Sequence, residues 1–176
     1  RSCACGMKDV MKRRAKVVPN AYGQVLEVGM GSGLNLEYYD RSKVDVVWGL
    51  EPSEGMRRKA QANLNKTDLD VRWLDLPGEN VPLKENSIDS VMLTYTLCTI
   101  PDWHKALLEM RRVLKPGGQL FFCEHGEAPD VEVQRWQKRV NPVWKIIAGG
   151  CNLNRQIPQC LEHAGFSIAE MEQGYV

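Results

Sequence analysis

Short hydrophobic runs alternate with longer stretches of helical periodicity along this chain. The runs predict buried strands at residues 24–28, 44–50, 69–74, 88–93 and 119–123, and the start of a last strand at 166–171. The periodic stretches predict helices at residues 7–18, 33–40, 53–63, 103–114, 131–148 and 155–164. Because strands and helices alternate at this spacing, we expect an α/β fold with a doubly wound, mostly parallel sheet and helices on both faces.

Local signals predict where several helices begin, end or bend. Ser53 followed by Glu54 is typical of a helix start. The run Lys115-Pro116-Gly117-Gly118 predicts an abrupt helix end, and Pro142 predicts a break or kink after Asn141. The basic residues of the first helix are interpreted as a solvent-exposed face: Lys8, Lys12, Arg13, Arg14 and Lys16.

The 176 residues contain no repeats or linkers, so residues 1–176 are interpreted as a single domain. Its parts are an N-terminal helix (1–20), a core (21–125) and later helices (126–165). A net charge of +1 does not favour a nucleic-acid partner, and no hydrophobic run is long enough to cross a bilayer. We expect a cytoplasmic protein. The chain starts at Arg1 and stops within a strand pattern, so we expect further segments at both ends, an N-terminal membrane anchor being one alternative.

The chain has six cysteines: Cys3, Cys5, Cys98, Cys123, Cys151 and Cys160. In a chain of α/β pattern such cysteines are typically reduced thiols that pack as small apolar residues. Cys3 and Cys5 are too close in sequence for the usual zinc motif, and no His or second Cys pair accompanies them. We therefore predict no metal site, and we interpret Cys98 and Cys151 as packing residues.

A glycine-rich turn follows the first predicted strand. Glu27 begins a Glu-x-Gly-x-Gly-x-Gly motif whose glycines are Gly29, Gly31 and Gly33. Glycine allows sharp turns and a close approach of the main chain to a ligand. Glu51 ends the second predicted strand about 20 residues later, where an acid can accept hydrogen bonds from both ribose hydroxyls. A nicotinamide-binding oxidoreductase uses nearly the same turn and remains an alternative at this point.

A second set of motifs is more specific. It comprises Glu79-Asn80-Val81-Pro82-Leu83, Ser87-Ile88-Asp89-Ser90-Val91 and Arg112-Val113-Leu114-Lys115-Pro116-Gly117-Gly118. With the glycine turn and Glu51, these motifs resemble the class I S-adenosylmethionine-dependent methyltransferases over residues from about 20 to 176. The resemblance implies a Rossmann-like fold that lacks its terminal segments here, with S-adenosyl-L-methionine as cofactor.

The resemblance also implies which residues hold that cofactor. Glu27 would bind the ammonium group through water, Glu51 the ribose, and Thr94 and Tyr95 would line the methionine moiety. The remaining candidates follow the same strands: Gly29, Met30, Gly31, Ser32, Gly33, Pro52, Gly78, Glu79 and Leu97. The family often has Asp-Ala where this chain has Pro77-Gly78, so we expect main-chain N–H groups to recognise adenine, with Asp75 as the alternative and Leu97 covering the ring.

The candidate catalytic residues follow the fifth predicted strand. His125 is the candidate base because an imidazole titrates near neutral pH, and Glu124 would orient its ring or accept a proton. The alternative is that His125 only hydrogen-bonds a loop main chain. Methyl transfer mainly needs an oriented nucleophile and exclusion of water, so it does not require a catalytic dyad.

A narrower resemblance concerns the acceptor. Glu124-His125, Trp136, Pro142-Val143-Trp144-Lys145 and Gly150-Cys151-Asn152-Leu153-Asn154-Arg155 resemble the thiol S-methyltransferase branch. This implies a small, lipophilic or lipid-like acceptor under an apolar lid formed by Trp136, Trp144, Ile146 and Ile147. It also implies a monomer or homodimer able to associate with membranes. As an alternative, the lid aromatics pack a helix on the sheet. A phospholipid-headgroup or quinone-type acceptor, and a catalytically silent cofactor-binding module, also remain alternatives.

Overall fold

A computed structural model of the protein describes residues 7–175, so the prediction for Cys3 and Cys5 lies outside the described residues. The strands are β1 (Gly23–Val28), β2 (Val44–Leu50), β3 (Val71–Leu74), β4 (Ile88–Thr94) and β5 (Leu114–Cys123). The helices are α1 (Lys8–Val17), α2 (Glu54–Leu64), α3 (Trp103–Val113), α4 (Val131–Ile147) and α5 (Ile157–His163), and a 3₁₀ turn, Val18–Asn20, follows α1. Among the helices of this part of the chain, none has the length and apolar character of a bilayer span.

The five strands form one parallel sheet in the order β3-β2-β1-β4-β5. The predicted α/β fold is therefore confirmed. The chain winds outward from β1 to β3 and then returns to place β4 on the other side of β1. In open parallel sheets ligands bind beyond the carboxyl ends of the strands at such a reversal of strand order. This topology directs attention to the loops after β1, β2 and β4.

Hydrophobic clusters cover the two faces of the sheet. Successive residues of β1 point to opposite faces, so Leu26 joins the cluster containing Leu107 of α3, whereas Val25 joins the cluster containing Tyr39. Val25, Leu26 and Leu107 have no exposed surface. The central strands are thus fixed on both sides, which gives their carboxyl ends a rigid base.

The predicted helix start at Ser53 is confirmed. The Ser53 side chain caps α2 by accepting a hydrogen bond from the main-chain N–H of Met56 at 3.4 Å. At the other end of the fold, α5 is followed by Gly165, whose φ of +83° lies in the left-handed region that ends many helices.

Residues 33–40 do not form the predicted helix. They form consecutive turns, in which the N–H of Leu36 donates to the carbonyl of Gly33 and that of Tyr38 to the carbonyl of Asn35. These bonds span three residues rather than the four of an α-helix. Gly33 begins the segment at a φ of +73°, which is incompatible with a right-handed helix, and the apolar spacing of the segment therefore misled the prediction.

Three further boundaries differ from prediction. Residues 166–171 are not a strand, because no strand of residues 7–175 pairs with them, although Phe166 and Ile168 pack on the core. The helix α4 continues through Pro142, since proline removes only one hydrogen bond from it. Finally, β5 already begins at Leu114, which pairs with Ile88, and the Lys115-Pro116-Gly117-Gly118 segment bulges before Gln119 pairs with Ser90.

Candidate active site

The glycine turn after β1 needs glycine for two different reasons. Gly29 has a φ of +69°, and a Cβ there would lie 2.3 Å from Cγ2 of Thr96, so no side chain fits. Gly31 has a φ of +59°, but the nearest atom to its Cβ would be Cε of Met56 at 3.4 Å. Gly29 therefore serves close packing of the turn, whereas Gly31 is required for its positive φ, since a Cβ there would make only ordinary contacts.

Glu51 lies directly against this turn. Its Oε2 accepts a hydrogen bond from the N–H of Gly31 at 3.0 Å, and its Oε1 accepts one from the N–H of Ser53 at 2.9 Å. A carboxylate has four lone-pair positions, so two remain for further donors such as ribose hydroxyls. The two features that the sequence predicted to act together are therefore adjacent in space.

Glu27 is buried at the carboxyl end of β1. Its carboxylate accepts hydrogen bonds from Nδ2 of Asn35 at 2.9 Å and from the Tyr39 hydroxyl at 2.8 Å. Burial raises the pKa of Glu27 to about 7, although the bond from Tyr39, the charge of Arg14 and the bond from Asn35 act in the opposite direction. The carboxyl group is thus positioned by the very segment that was predicted to be a helix.

The interpretation of the basic residues of α1 as a solvent-exposed face is wrong for Arg14. Arg14 is only 5% exposed, and its Nη1 donates to Oδ1 of Asn35 at 2.6 Å and to Oγ1 of Thr94 at 2.7 Å. The sequence did contain a signal, because Arg14 lies four residues from both Val10 and Val18, which are buried. A charged residue on the same helix face as Val10 and Val18 indicates a polar site within the buried region.

Arg14 and Glu27 provide a test of the implied cofactor. The buried Nε of Arg14 has no hydrogen-bond partner among the described residues. Buried polar atoms are nearly always satisfied, so an unpaired donor at a candidate site indicates a ligand acceptor. The guanidinium of Arg14, beside the end of β4, fits the carboxylate of a methionine moiety. The carboxyl group of Glu27, near the end of β1, fits its ammonium group. The residues present therefore fit S-adenosyl-L-methionine.

Tyr95 connects this network to the residues after β5. Its φ of +55° is unusual for a side chain of this size. The ring lies under the guanidinium of Arg14, 5.1 Å from its centroid, and stacks on the His125 ring at 5.7 Å. Burial raises the pKa of Tyr95, so its hydroxyl stays protonated. Backbone conformations of this kind are concentrated at functional sites.

Three further residues predicted to bind the cofactor lie beside the turn, namely Met30, Ser32 and Pro52. The Met30 side chain is buried in the core, and the carbonyl of Ser32 accepts a hydrogen bond from Nδ2 of Asn63 at 2.9 Å. Pro52 is exposed beside Glu51. Their assignment to the cofactor stays a prediction, limited for Met30 to its main-chain atoms.

The predicted adenine side has a mixed outcome. Gly78 is buried, and a Cβ there would lie 3.3 Å from Cγ1 of Val28, which brings its main chain to the end of β1. Glu79 is partly buried beside it. Asp75 is paired with Nη1 of Arg57 at 2.5 Å. The Leu97 side chain has no exposed surface, so contact with adenine would require it to leave the core.

Glu124 holds the turn after β4. Its Oε1 accepts hydrogen bonds from the N–H groups of Thr96 at 2.6 Å and Leu97 at 3.0 Å, and its Oε2 accepts one from Cys98 at 3.4 Å. Burial raises the pKa of Glu124 despite these bonds. The oxygens of Glu124 thus contact main-chain donors, and its role in orienting the His125 ring or accepting a proton stays a prediction.

His125 contacts a sulfur atom rather than a loop main chain. Its Nε2 lies 2.6 Å from Sγ of Cys151, and Sγ of Cys98 lies in the same cluster. Burial alone would lower the pKa of His125, but the bond to Cys151 and the charges of Cys151 and Glu124 raise it above its usual value. Hydrogen bonds from Cys98 and His125 lower the pKa of Cys151. The sequence missed this convergence because the three residues lie in separate loops.

The predicted lid residues of α4 are exposed. Trp136, Trp144, Ile146 and Ile147 are 60%, 37%, 84% and 76% exposed, respectively. The alternative that these side chains pack a helix on the sheet is therefore wrong. The end of α4 leads directly to the cluster, since the N–H of Gly150 donates to the carbonyl of Lys145 at 2.7 Å and Cys151 follows.

An open groove of about 320 Å³ lies beside the loop that precedes α5. It is lined by residues of α3, α5 and the loop before α5, including Trp103, Arg155 and Cys160. None of the residues predicted to bind the cofactor or to act in catalysis lines it. Two of its lining residues, Asn152 and Arg155, donate to the carbonyls of Cys98 and Leu97, so the groove borders the turn after β4.

Comparisons with known proteins agree with this geometry. Residues 26–122 match the family model of the methyltransferase domain. The chain is 37% identical to human thiol S-methyltransferase TMT1B over 165 residues, which cover 90% of this chain and 66% of that protein. It is 30% identical to the demethylmenaquinone methyltransferase of Clavibacter sepedonicus over 151 residues, covering 83% of this chain and 61% of that protein.

The crystal structure of the YcgJ protein from Bacillus subtilis has the same fold, with a TM-score of 0.69 and 21% identity over 85% of this chain and 63% of that one. The chain spans somewhat less than two thirds of the length of the first curated relatives it matches, 62% to 66%. The family match covers more than half of the chain, including the second half of β1, the glycine turn, β2 and β4. The chain therefore belongs to the class I S-adenosylmethionine-dependent methyltransferases.

Proposed function

We propose that this protein transfers the methyl group of S-adenosyl-L-methionine to the sulfur atom of a small lipophilic thiol. The observation that carries the proposal is the contact between the Glu51 carboxylate and the N–H of Gly31. It provides a ribose acceptor beside the glycine turn. The identity of 37% to a protein named as a thiol S-methyltransferase supports the choice of a thiol acceptor.

The cofactor half of the site binds by charge and hydrogen bonding. Glu51 accepts hydrogen bonds from the ribose hydroxyls with its free lone pairs. Arg14 donates from Nε and attracts the cofactor carboxylate, while Glu27 receives the ammonium group, whose positive charge favours the ionised form of Glu27. When bound, S-adenosyl-L-methionine supplies a methyl carbon on a positively charged sulfur atom.

The acceptor half must orient a thiol and exclude water. Orientation alone contributes several powers of ten to such bimolecular displacements. Trp144, Ile146 and Ile147 present apolar surface at the end of α4, next to Cys151. Apolar surface around a few polar groups is typical of sites for lipophilic ligands. We infer that these side chains cover the acceptor once it is bound.

A quinone-type acceptor is the second candidate. The identity of 30% to a demethylmenaquinone methyltransferase favours it, and the aromatic residues Trp136 and Trp144 of α4 suit a flat ring. A quinone-type acceptor is methylated on carbon, whereas a thiol is methylated on sulfur. Thiol and quinone acceptors are therefore separable by a direct assay.

The test uses the purified chain. Calorimetric titration with S-adenosylhomocysteine should show binding, and we expect Glu51→Gln to weaken it by about tenfold or more because ribose loses a charged acceptor. Glu54→Gln, an exposed carboxylate on α2, is the matched control and should bind as the wild type. Transfer of a labelled methyl group should then occur to an alkyl thiol and not to a demethylated quinol.

Two results would contradict the proposal. Binding of a nicotinamide nucleotide without binding of S-adenosylhomocysteine would exclude the cofactor. Binding of S-adenosylhomocysteine with transfer to the quinol alone would leave the cofactor in place and replace the acceptor. Binding without transfer to any acceptor would instead favour a catalytically silent module.

A further inference from the structure

Three potential metal ligands meet beyond the carboxyl ends of β4 and β5. Sγ of Cys98, Nε2 of His125 and Sγ of Cys151 all lie within 4.8 Å of one another. Cys98 follows β4, His125 follows β5 and Cys151 follows α4. Cys98 and Cys151 are buried free thiols. The fold therefore brings two soft sulfur ligands and one imidazole to a single point.

The geometry points to a binding site for one zinc ion held by Cys98, His125 and Cys151. Thiolate sulfur and imidazole nitrogen are the ligands that zinc prefers, and two cysteines with one histidine form a known type of open zinc site. Two thiolates balance the charge of Zn²⁺, which makes burial of the ion favourable. Three protein ligands leave the fourth tetrahedral position free for another ligand.

Only a small movement is needed to admit the ion. Zinc lies about 2.3 Å from sulfur and about 2.0 Å from nitrogen, which places a tetrahedral pair of such ligands roughly 3.5 Å apart. Nε2 of His125 and Sγ of Cys151 are now 2.6 Å apart, so they must separate by about an ångström. A rotation of the side chains provides a shift of this size without displacing the main chain.

The main chain around the two cysteines is fixed by hydrogen bonds. The N–H and Nδ2 of Asn152 both donate to the carbonyl of Cys98, at 2.9 and 3.0 Å, which ties the loop of Cys151 to that of Cys98. Glu124 accepts from the N–H of Cys98. Nη1 of Arg155 donates to the carbonyls of Leu97 at 2.5 Å and Ile100 at 2.7 Å. Such support around ligands is what a metal site requires for defined geometry.

A role for the free fourth position rests on the proposed function. An acceptor thiol would replace water there and bind through sulfur, and its proton would pass to solvent water. A zinc-bound thiol is deprotonated at neutral pH, so the acceptor would be held as a nucleophilic thiolate without a separate base. His125 would then serve as a ligand, not as the predicted base.

The test measures metal directly. Protein purified without a histidine tag and dialysed in low zinc should retain about one zinc per chain by elemental analysis. Replacing zinc by cobalt should give the near-ultraviolet thiolate-to-cobalt charge-transfer band. Cys98→Ser and Cys151→Ser should each lower zinc affinity by about tenfold or more and weaken this band, since each removes one of three ligands. Cys123→Ser and Cys160→Ser, which alter cysteines outside the cluster, should leave both unchanged.

If a variant misfolds, the zinc content of the wild-type protein still decides whether the site exists. Zinc should be removable by a chelator and restored by titration, with circular dichroism as the check of folding. Less than about one tenth of an equivalent of zinc after saturation would overturn the site, as would equal loss of zinc in the control variants or a Cys98–Cys151 disulfide under reducing conditions. S-adenosylhomocysteine binding, measured on the same samples, separates the outcomes. Binding without zinc rejects the metal site alone, whereas zinc without methyl transfer rejects the proposed function alone.

Discussion

The Tyr39 hydroxyl donates a hydrogen bond to the Glu27 carboxylate at 2.8 Å, and both side chains are buried. Burial raises the pKa of each group, to about 7 for Glu27 and well above its usual value for Tyr39. The pair is thus an acid whose charge state changes near neutral pH. Glu27 lies on the central strand, at the end where the cofactor is expected.

This pair predicts a pH dependence of stability. Because the folded-state pKa of Glu27, about 7, exceeds its ordinary value of 4.5, its stabilising effect is complete below pH 4.5 and is lost as pH rises through 7. The loss between pH 5 and pH 8 should be about 2 kcal/mol. The unfolding free energy of Glu27→Gln, measured in urea, should lack this loss. The difference in unfolding free energy between the variant and the wild type should therefore shift in favour of the variant by that amount from pH 5 to pH 8.

Glu37→Gln removes an exposed carboxylate of the same segment and serves as the control. Its unfolding free energy should follow the wild type across the same pH range. Parallel curves for the wild type and Glu27→Gln would show that Glu27 ionises normally.

Substitutions of Gly29 and Gly31 should have different effects, the first mainly on stability and the second mainly on cofactor binding. Gly29→Ala should destabilise the protein by about 2–4 kcal/mol, because its Cβ meets Thr96 and its φ disfavours alanine. Gly31→Ala should cost only about 1 kcal/mol but weaken S-adenosylhomocysteine binding by about tenfold, since the methyl group fills the space in front of the turn. Thermal unfolding and calorimetry measure the two effects.

The control for Gly31→Ala is Gly117→Ala. Gly117 also has a positive φ, +81°, but its Cβ would meet nothing within 4 Å. It should show the same conformational cost and unchanged binding. Equal loss of binding in both variants would mean that Gly31 acts through stability alone.

Arg14 should recognise the amino-acid moiety of the cofactor. Arg14→Met should weaken S-adenosylhomocysteine binding by about tenfold or more, because the carboxylate loses a charged partner. Methylthioadenosine has no amino-acid group, so its affinity should stay nearly constant. Lys12→Met, an exposed substitution on the same helix, is the control and should change neither affinity. A parallel loss for both ligands would indicate a purely structural role of Arg14.

His125 should affect turnover without affecting the cofactor. We expect His125→Ala to lower methyl transfer by about a hundredfold, as is typical when a base or a metal ligand is removed. The Kd for S-adenosylhomocysteine should change by less than about twofold, since Gly31, Glu51 and Arg14 remain in place. Rate measurements at saturating cofactor, paired with calorimetry, distinguish these effects. Unchanged turnover, or loss of cofactor binding, would contradict the role of His125.

The features that could be predicted from the sequence are those that depend on residues close together in it. The parallel strands follow from hydrophobic runs, and the glycine turn and Glu51 follow from their position at strand ends. The 33–40 segment shows the limit of this approach, because its apolar spacing suits a helix while its residues form consecutive turns that begin at Gly33, whose φ is positive. Periodicity does not report backbone conformation at a single residue.

The features that could not be predicted depend on contacts between distant parts of the chain. Arg14 reaches Thr94 across 80 residues, and Cys151 reaches Cys98 and His125 from a third loop. From the sequence alone, Arg14 is equally well interpreted as a solvent-exposed cation, and Cys98 and Cys151 as small packing residues. Only the three-dimensional arrangement removes those alternatives.

The turn after β4 has one more consequence. Thr96 lies against Gly29, with its Oγ1 3.4 Å from the Gly29 carbonyl, and Cys98 is two residues away in the cluster with His125. Glu124 fixes the N–H groups of both Thr96 and Cys98. Thr96, Leu97 and Cys98 are therefore three consecutive residues that join the glycine turn to the cysteine–histidine cluster, and we expect a cofactor bound at the turn to influence the position of Cys98 through them.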